Sequence, residues 1–389
     1  MNTLRKAEDI KSWMIELRRD FHMYPEPSFE EVRTSKVIAE ELKKMDIEVI
    51  TTGKTGVIGL LKGKNPGKAI ALRADIDGLS VTEETGLPYS SKNPGYMHAC
   101  GHDTHITELL GAAKILSDLK HELYGSVKFI FQPAEELGTG AAYMIEHGAL
   151  ENPKVDIIVG MHTFGMIETG KIVVQKGPFM AYGDKWSLTV EGKSCHGSSP
   201  WQGIDAMPCA VAIMEGFQTI VTRFNDARNP IVVNVGTVNA GERFNVIPGK
   251  VEITGMNRSL SSYSREMMPK WMKKIIDGIC SAYGCTYNFK YEEGFKPIMN
   301  EDSFTEFIRK SISKVIGEEN IIQIGKIMGS EDFSSYQEKV PGTFLILGGG
   351  NKEKGYMYSQ HSNRFTIDED CLPIGAAAYV QAALDFLKA

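Results

Sequence analysis

Apolar positions along the chain follow two spacings. Ile10, Trp13, Met14, Leu17 and Phe21 recur every three to four residues, which predicts an amphipathic helix closed by Pro25 and Pro27. Similar patterns predict helices near Ser35–Met45, Ile106–Leu119, Gly140–Glu146, Phe304–Ile316 and Leu372–Leu387. Short apolar runs at Val57–Leu61, Ala69–Leu72, Ser126–Gln132, Val155–His162 and Thr343–Leu347 predict buried strands. Strands alternating with helices imply an α/β fold with a mostly parallel central sheet flanked by helices. The texture changes after Gly177-Pro178. A strand (Lys185–Glu191), a helix (Asp205–Phe224), two strands (Ile231–Val238, Lys250–Met256), a helix (Arg265–Tyr283) and a strand (Thr286–Tyr291) follow. That is the β-α-β-β-α-β order of a ferredoxin-like α+β domain. The expected organisation is a discontinuous α/β domain, residues 1–182 and 293–389, interrupted by an inserted domain, residues 183–292.

Composition narrows the function classes. Of 389 residues, 43 are Lys or Arg and 49 are Asp or Glu, a formal charge of −6. That balance disfavours a nucleic-acid or anionic-membrane partner, which would select a basic face. The opening MNTLRKAEDIKSW carries charges where a signal peptide needs an apolar stretch, and no apolar run reaches the ~18 residues of a spanning helix. The expected location is the cytoplasm. The six cysteines show no disulfide or zinc-knuckle spacing. Cys195, Cys209, Cys280, Cys285 and Cys371 read as small buried hydrophobes.

The sixth cysteine lies in the densest group of potential ligands, His98-Ala99-Cys100-Gly101-His102-Asp103-Thr104-His105. Downstream, one predicted strand leads into Pro133-Ala134-Glu135-Glu136 and another ends in His162; His361 could fold back from the resumed domain. Sites in open α/β sheets gather at the carboxyl ends of strands. Thiolate, imidazole and carboxylate together suit Zn²⁺ or another first-row ion such as Mn²⁺. Five such groups exceed a closed tetrahedral site and suit two ions sharing a bridging ligand. Adjacent Glu135 and Glu136 cannot both face one ion from regular backbone, so one can ligate while the other acts as general base. Alone, each group has a plainer reading: a solvated Glu pair, a core histidine at 162, a loop histidine at 361. His22, His121 and His147 read as helix residues, and His98 and His105 as structural or ligand-supporting.

The segments RRDFHMYPEPSFEE, LRADIDGL, MHACGHDTH, FIFQPAEE, GMH, FNVIPG, GSEDFSSY and His361-Ser362 resemble the aminoacylase/carboxypeptidase family of di-metal peptidases. The branch they resemble contains hippurate hydrolases, auxin-conjugate hydrolases and thermostable carboxypeptidases, and the likeness runs from about Arg18 to the end of the chain. It implies a di-metal exopeptidase-like fold with a lid or dimerisation domain inserted. It implies two divalent ions, Zn or Mn with Ni or Co as further candidates. Cys100 matches the bridging thiolate, His102, Glu136, His162 and His361 the other ligands, and Glu135 the general base. Where the wider family has a ligand histidine, this chain reads Arg73-Ala74-Asp75-Ile76-Asp77; His102 supplies the imidazole, Asp77 matches a residue that orients it, and Asp75 is a weaker candidate. In the inserted domain His196 matches a histidine that polarises the scissile carbonyl, often across a dimer interface. Asn245 and Arg258 match substrate-binding positions.

The implied function is hydrolysis of the amide bond of an N-acyl amino acid by metal-activated water in a homodimer; a higher homo-oligomer is the second possibility. Release of a C-terminal amino acid from a peptide is the alternative, and an inactive binding protein on the same fold a further one. A cysteine hydrolase using Cys100 and His102 leaves Glu135, Glu136, His162 and His361 unexplained. Two departures fall on the inserted domain: GKSCHGSSPW puts Trp201 where relatives commonly carry histidine, and GMNRS replaces GTVRT. Both bear on the substrate and neither on the ligand set.

Overall fold

The computed structural model describes residues 2–389. They form two compact units, one of residues 2–177, 299–325 and 332–389, the other of residues 178–298 and 326–331.

The first unit is built on an eight-stranded sheet. Its order is Glu48–Thr52, Gly56–Lys62, Tyr124–Gln132, Asn65–Asp75, Ile157–Glu168, Gly342–Gly350, Ile172–Val173, Ile321–Ile322. The four central strands pair in parallel and antiparallel pairs lie toward both edges. A parallel sheet covered by helices reads as continuous apolar runs, and Asn65–Asp75 is accordingly buried from Ala69 onward. Helix His102–Asp118 packs against helices Lys11–Met23 and Leu372–Lys388. A Cβ on Gly111 would meet Met14 and Ala376 at about 3 Å, so this glycine permits the close approach. The packing fixes the start of that helix, where His102 sits.

Three local readings change. The first amphipathic pattern is the helix Lys11–Met23, with Ile10 at its N-cap, and a further helix, Thr3–Asp9, precedes it. Helix His102–Asp118 starts four residues before the apolar pattern because its first turn is buried but polar. Strand Glu48–Thr52 is an additional, largely exposed edge strand.

In the second unit, helices Ala206–Thr219 and Ser262–Tyr283 pack on an antiparallel sheet ordered Ile231–Ala240, Lys250–Ser259, Tyr182–Glu191, Thr286–Phe295. In chain order that is second, third, first, fourth, the ferredoxin-like arrangement. Trp186, Leu188, Phe217, Ile253, Met272 and Ile276 form its core. Among the described residues no helix is long and apolar enough to cross a membrane.

Candidate metal centre

Cys100 and His102 flank Gly101, whose φ of 90° is left-handed and whose Cβ, were there one, would lie 3.3 Å from the Phe365 ring. Only glycine suits both the conformation and the space. The turn presents Cys100 and starts the helix on His102. His102 Nδ1 lies 2.8 Å from the carbonyl oxygen of Asp77. A carbonyl only accepts, so Nδ1 carries the proton and Nε2 the lone pair. That Nε2 is buried without a hydrogen-bond partner, 3.8 Å from Asp75 Oδ2 and 3.9 Å from Glu136 Oε1. His162 obeys the same logic. Its Nδ1 faces the Thr163 carbonyl at 3.1 Å, leaving the Nε2 lone pair 3.3 Å from Cys100 Sγ. His162 lies mid-strand rather than at a strand end. Pairing with Asn65–Asp75 stops at Gly160, so the sheet opens beside His162 although the strand continues to Glu168.

Strand Tyr124–Gln132 delivers the two glutamates through Ala134, which has φ 53°. The Asp77 carboxylate accepts the N–H groups of Glu135 and Glu136, both at 3.2 Å, and the Ser28 hydroxyl at 2.7 Å. Asp77 thus touches His102 chiefly through its carbonyl, with its carboxylate 3.3 Å from Nδ1, and uses that carboxylate to fix the glutamate turn. Glu31 accepts the Ala134 N–H at 2.9 Å and the Thr55 hydroxyl at 2.6 Å. His361 has φ 66°, donates its backbone N–H to Ala99 O at 2.8 Å and places Nε2 3.5 Å from Glu136 Oε1. Positive φ at two non-glycine residues beside the cluster costs on the order of 1–3 kcal/mol each, strain of the kind concentrated at functional sites.

Ligand atoms of Cys100, His102 and His162 all lie within 4.8 Å of one another, as do those of Cys100, Glu136 and His361, and of His102, Glu135 and Glu136. Cys100 belongs to two of these groups. Burial, then Glu136 and Glu135, raise its thiol well above the ordinary range. Burial lowers His102, but Asp75, Asp77 and Glu136 outweigh it and lift the imidazole to about 10. Burial, His105 and His102 push His162 well below its usual value, so it is neutral. The negative field that would draw a proton to His102 Nε2 equally favours a divalent cation there. A cation would also displace the thiol proton. Glu136 Oε1, like His102 Nε2, is buried without a hydrogen-bond partner. Each such atom costs about 1–3 kcal/mol unless something occupies it. The donor set therefore fits divalent metal ions.

A family model for peptidase family M20/M25/M40 matches residues 71–385. The chain belongs to this family. It is 39% identical to thermostable carboxypeptidase 1 of Saccharolobus solfataricus, covering 99% of this chain and 97% of that one. It is 37% identical to N-acetylcysteine deacetylase of Bacillus subtilis over 96% and 97% of the two chains. A solved dinuclear metal-binding peptidase of the M20 family from Bacillus subtilis superposes with a TM-score of 0.82 at 34% identity, covering 98% and 99% of the two chains. This M20 chain is a metal-dependent hydrolase of amide bonds.

Beyond the expected ligands, the first unit holds polar groups that the sequence reading left aside. Buried Arg18 and His22 both contact Asp103 Oδ2 at 2.8 Å, bracing the first turn of the His102 helix. His105 bonds Asp75, and Asp75 also accepts from Arg73 at 2.8 Å. His102 and His105, three apart at a helix start, offered the one sequence signal that they share a face.

In the second unit, strand Cys195–His196 pairs with Val246–Ile247. His196 is exposed, and its Nδ1 is 2.7 Å from Ser198 Oγ. The Gly197 N–H donates to Asn245 O at 2.8 Å, holding the two loops together. Asn245 Oδ1 is buried without a hydrogen-bond partner. Arg258 is half-buried on strand Lys250–Ser259 and donates to Asn257 O at 3.2 Å. Cys195 is only partly buried and faces Ser199 O at 3.4 Å, unlike the buried cysteines it was grouped with.

Proposed function

We propose that this M20 hydrolase cleaves N-acyl amino acids at a pair of divalent ions held by Cys100, His102, Glu136, His162 and His361, with Cys100 as the bridge. The observation that carries this reading is the pair of ligand groups sharing Cys100, together with the two histidines whose tautomers leave Nε2 as the ligand atom. Bound there, Zn²⁺ or Mn²⁺ would supply Lewis acidity and lower the pKa of water. Glu135, its N–H anchored by Asp77, takes the proton of the attacking water on its carboxylate and passes it to the leaving amine. His196 donates to the developing oxyanion, and Asn245 and Arg258 bind the substrate, Arg258 through its carboxylate. A dimer on the inserted unit's sheet is supported by edge strand Ile231–Ala240, which exposes Val238. The relatives named as a carboxypeptidase and a deacetylase support an amide substrate with a free carboxylate, and a short peptide is the second reading.

The test is a hydrolysis screen of N-acetyl and N-benzoyl amino acids and dipeptides after chelation and reloading with Zn²⁺, Mn²⁺, Co²⁺ or Ni²⁺. Loss with EDTA and recovery with metal on an N-acyl amino acid is expected. Activity that survives complete metal removal would overturn the reading.

A further inference from the structure

His105 is fully buried and is not in the ligand set above. Its Nε2 lies 2.8 Å from the backbone N of Thr163, a group that can only donate, so Nε2 must accept. The ring proton is then on Nδ1, which points at Asp75 Oδ1 at 2.5 Å. Both ring nitrogens are committed, so His105 has no lone pair for an ion, although it sits in a potential ligand group with Asp75 and His102.

What it holds is informative. Thr163 follows His162, on a stretch of strand that has passed its last parallel pair with Asn65–Asp75, Arg73 with Gly160. The imidazole acts as acceptor where that neighbouring strand no longer does. On its other side His105 and Arg73 clamp the two oxygens of Asp75, whose Oδ2 lies 3.8 Å from His102 Nε2. The His105 ring centroid is 4.4 Å from that of His162 and 5.4 Å from that of His102.

We propose that His105 is a positioning residue: it locks the backbone beside His162 and the carboxylate facing His102, and so sets how tightly the centre holds its ions. This rests on the ligand set proposed above. Outer partners of metal ligands typically contribute 10–100-fold to metal affinity.

Two near-isosteric variants separate the arms. His105→Asn keeps a donor toward Asp75 and loses the acceptor for Thr163; His105→Gln does the reverse. Stepwise Co²⁺ dissociation constants, measured by chelator competition, should each show one ion weakened about 10–100-fold. A purely structural role would lower the melting temperature of the metal-free protein and leave both constants unaltered. Folded variants with both constants within about threefold of the parent would overturn the proposal. A measurement on the unaltered enzyme guards against misfolding: imidazole ¹⁵N spectra should report His105 as the Nδ1–H tautomer with and without metal, and an Nε2–H tautomer would also overturn it. If His162→Ala still binds two ions, the fault lies with the ligand assignment rather than with His105.

Discussion

The two units carry their candidate residues in opposite ways. In the first, His102 is fully buried, Cys100, Glu135 and His162 are at most 8% exposed and Glu136 is partly buried, while His361 is the exposed exception. Each sits in a framework of bonds to helix, strand and turn. In the second, His196 is exposed and held by its own loop, while Trp201 is 77% and Phe244 96% exposed. The difference fits the two tasks proposed above. A packed scaffold desolvates and fixes most of the proposed ligands before any ion arrives. Groups that meet a substrate must remain accessible, and loops joined by a few backbone bonds tolerate change.

The sharpest way to break this contrast is Glu135→Gln. The amide keeps the shape and the bond from its N–H to Asp77 but cannot take a proton. Turnover should fall 10²–10⁴-fold while metal analysis still finds both ions. A loss under tenfold would remove Glu135 as the base, and a lost ion would make it a ligand. Next is His196→Ala, expected to cost about 2–4 kcal/mol of transition-state stabilisation, as for one oxyanion donor, with metal content unchanged. If the histidine acts across a dimer, mixing this variant with Glu135→Gln protomers restores activity, because one hybrid site regains both groups. Full activity of His196→Ala alone would cancel the role.

Legibility in the sequence follows the same division. Apolar spacing foretold most elements of both units because their cores are apolar, down to the helix Gly140–Glu146. It missed strand Glu48–Thr52, whose EVITT is mostly exposed, and the first turn of the helix at His102, where buried His-Asp-Thr-His masks the helical period. Cys100, His102, Glu135, Glu136, His162 and His361 were legible as metal-type chemistry, since few other uses explain that combination of thiol, imidazole and carboxylate groups. Their meeting in overlapping groups of three, with ligand atoms within 4.8 Å inside each group, is a tertiary fact. The Asp75–His105 and His22–Asp103 contacts were not legible, because each joins segments that only the packed helix brings together. His196, Asn245 and Arg258 came from resemblance alone; as a loop histidine, a loop amide and a strand arginine they carry no signal of their own.

A third test probes the packed framework through pH. Burial lifts the Glu31 carboxyl to about 7 despite its hydrogen bonds from Thr55 and Ala134. In the unfolded chain a glutamate ionises near ~4.3. The folded state therefore binds more protons between these values, and stability falls as pH rises through that window. The contribution is complete below the unfolded pKa and lost above about 7, and is of order 3–4 kcal/mol. Glu31→Gln stays neutral throughout, so its melting temperature should vary less with pH between 5 and 7 than the parent's. Parallel curves would place the pH dependence elsewhere.

The smallest effect is expected at Trp201, and it tests the other side of the comparison. The residue lies in the 3₁₀ turn Pro200–Gln202, and the Ser199 N–H that precedes the turn donates to His196 O at 2.8 Å. At 77% exposure its indole contributes little to the unit's core, so Trp201→His should change thermal stability by no more than about 0.5 kcal/mol, the range for surface substitutions. The ligand set is untouched, so both ions should remain with unchanged affinity. If His196 acts as proposed, a tryptophan five residues along the same loop offers exposed apolar surface to the acyl group. Removing it should lower kcat/KM for N-benzoyl substrates by up to about tenfold relative to N-acetyl ones, the scale of a modest apolar contact. A variant that loses metal would show the exposed loop to be coupled to the buried centre, and the separation of tasks between the two units would fail there. Equal loss on both substrates with the ions retained would make Trp201 a general support of the His196 loop rather than a determinant of the acyl group.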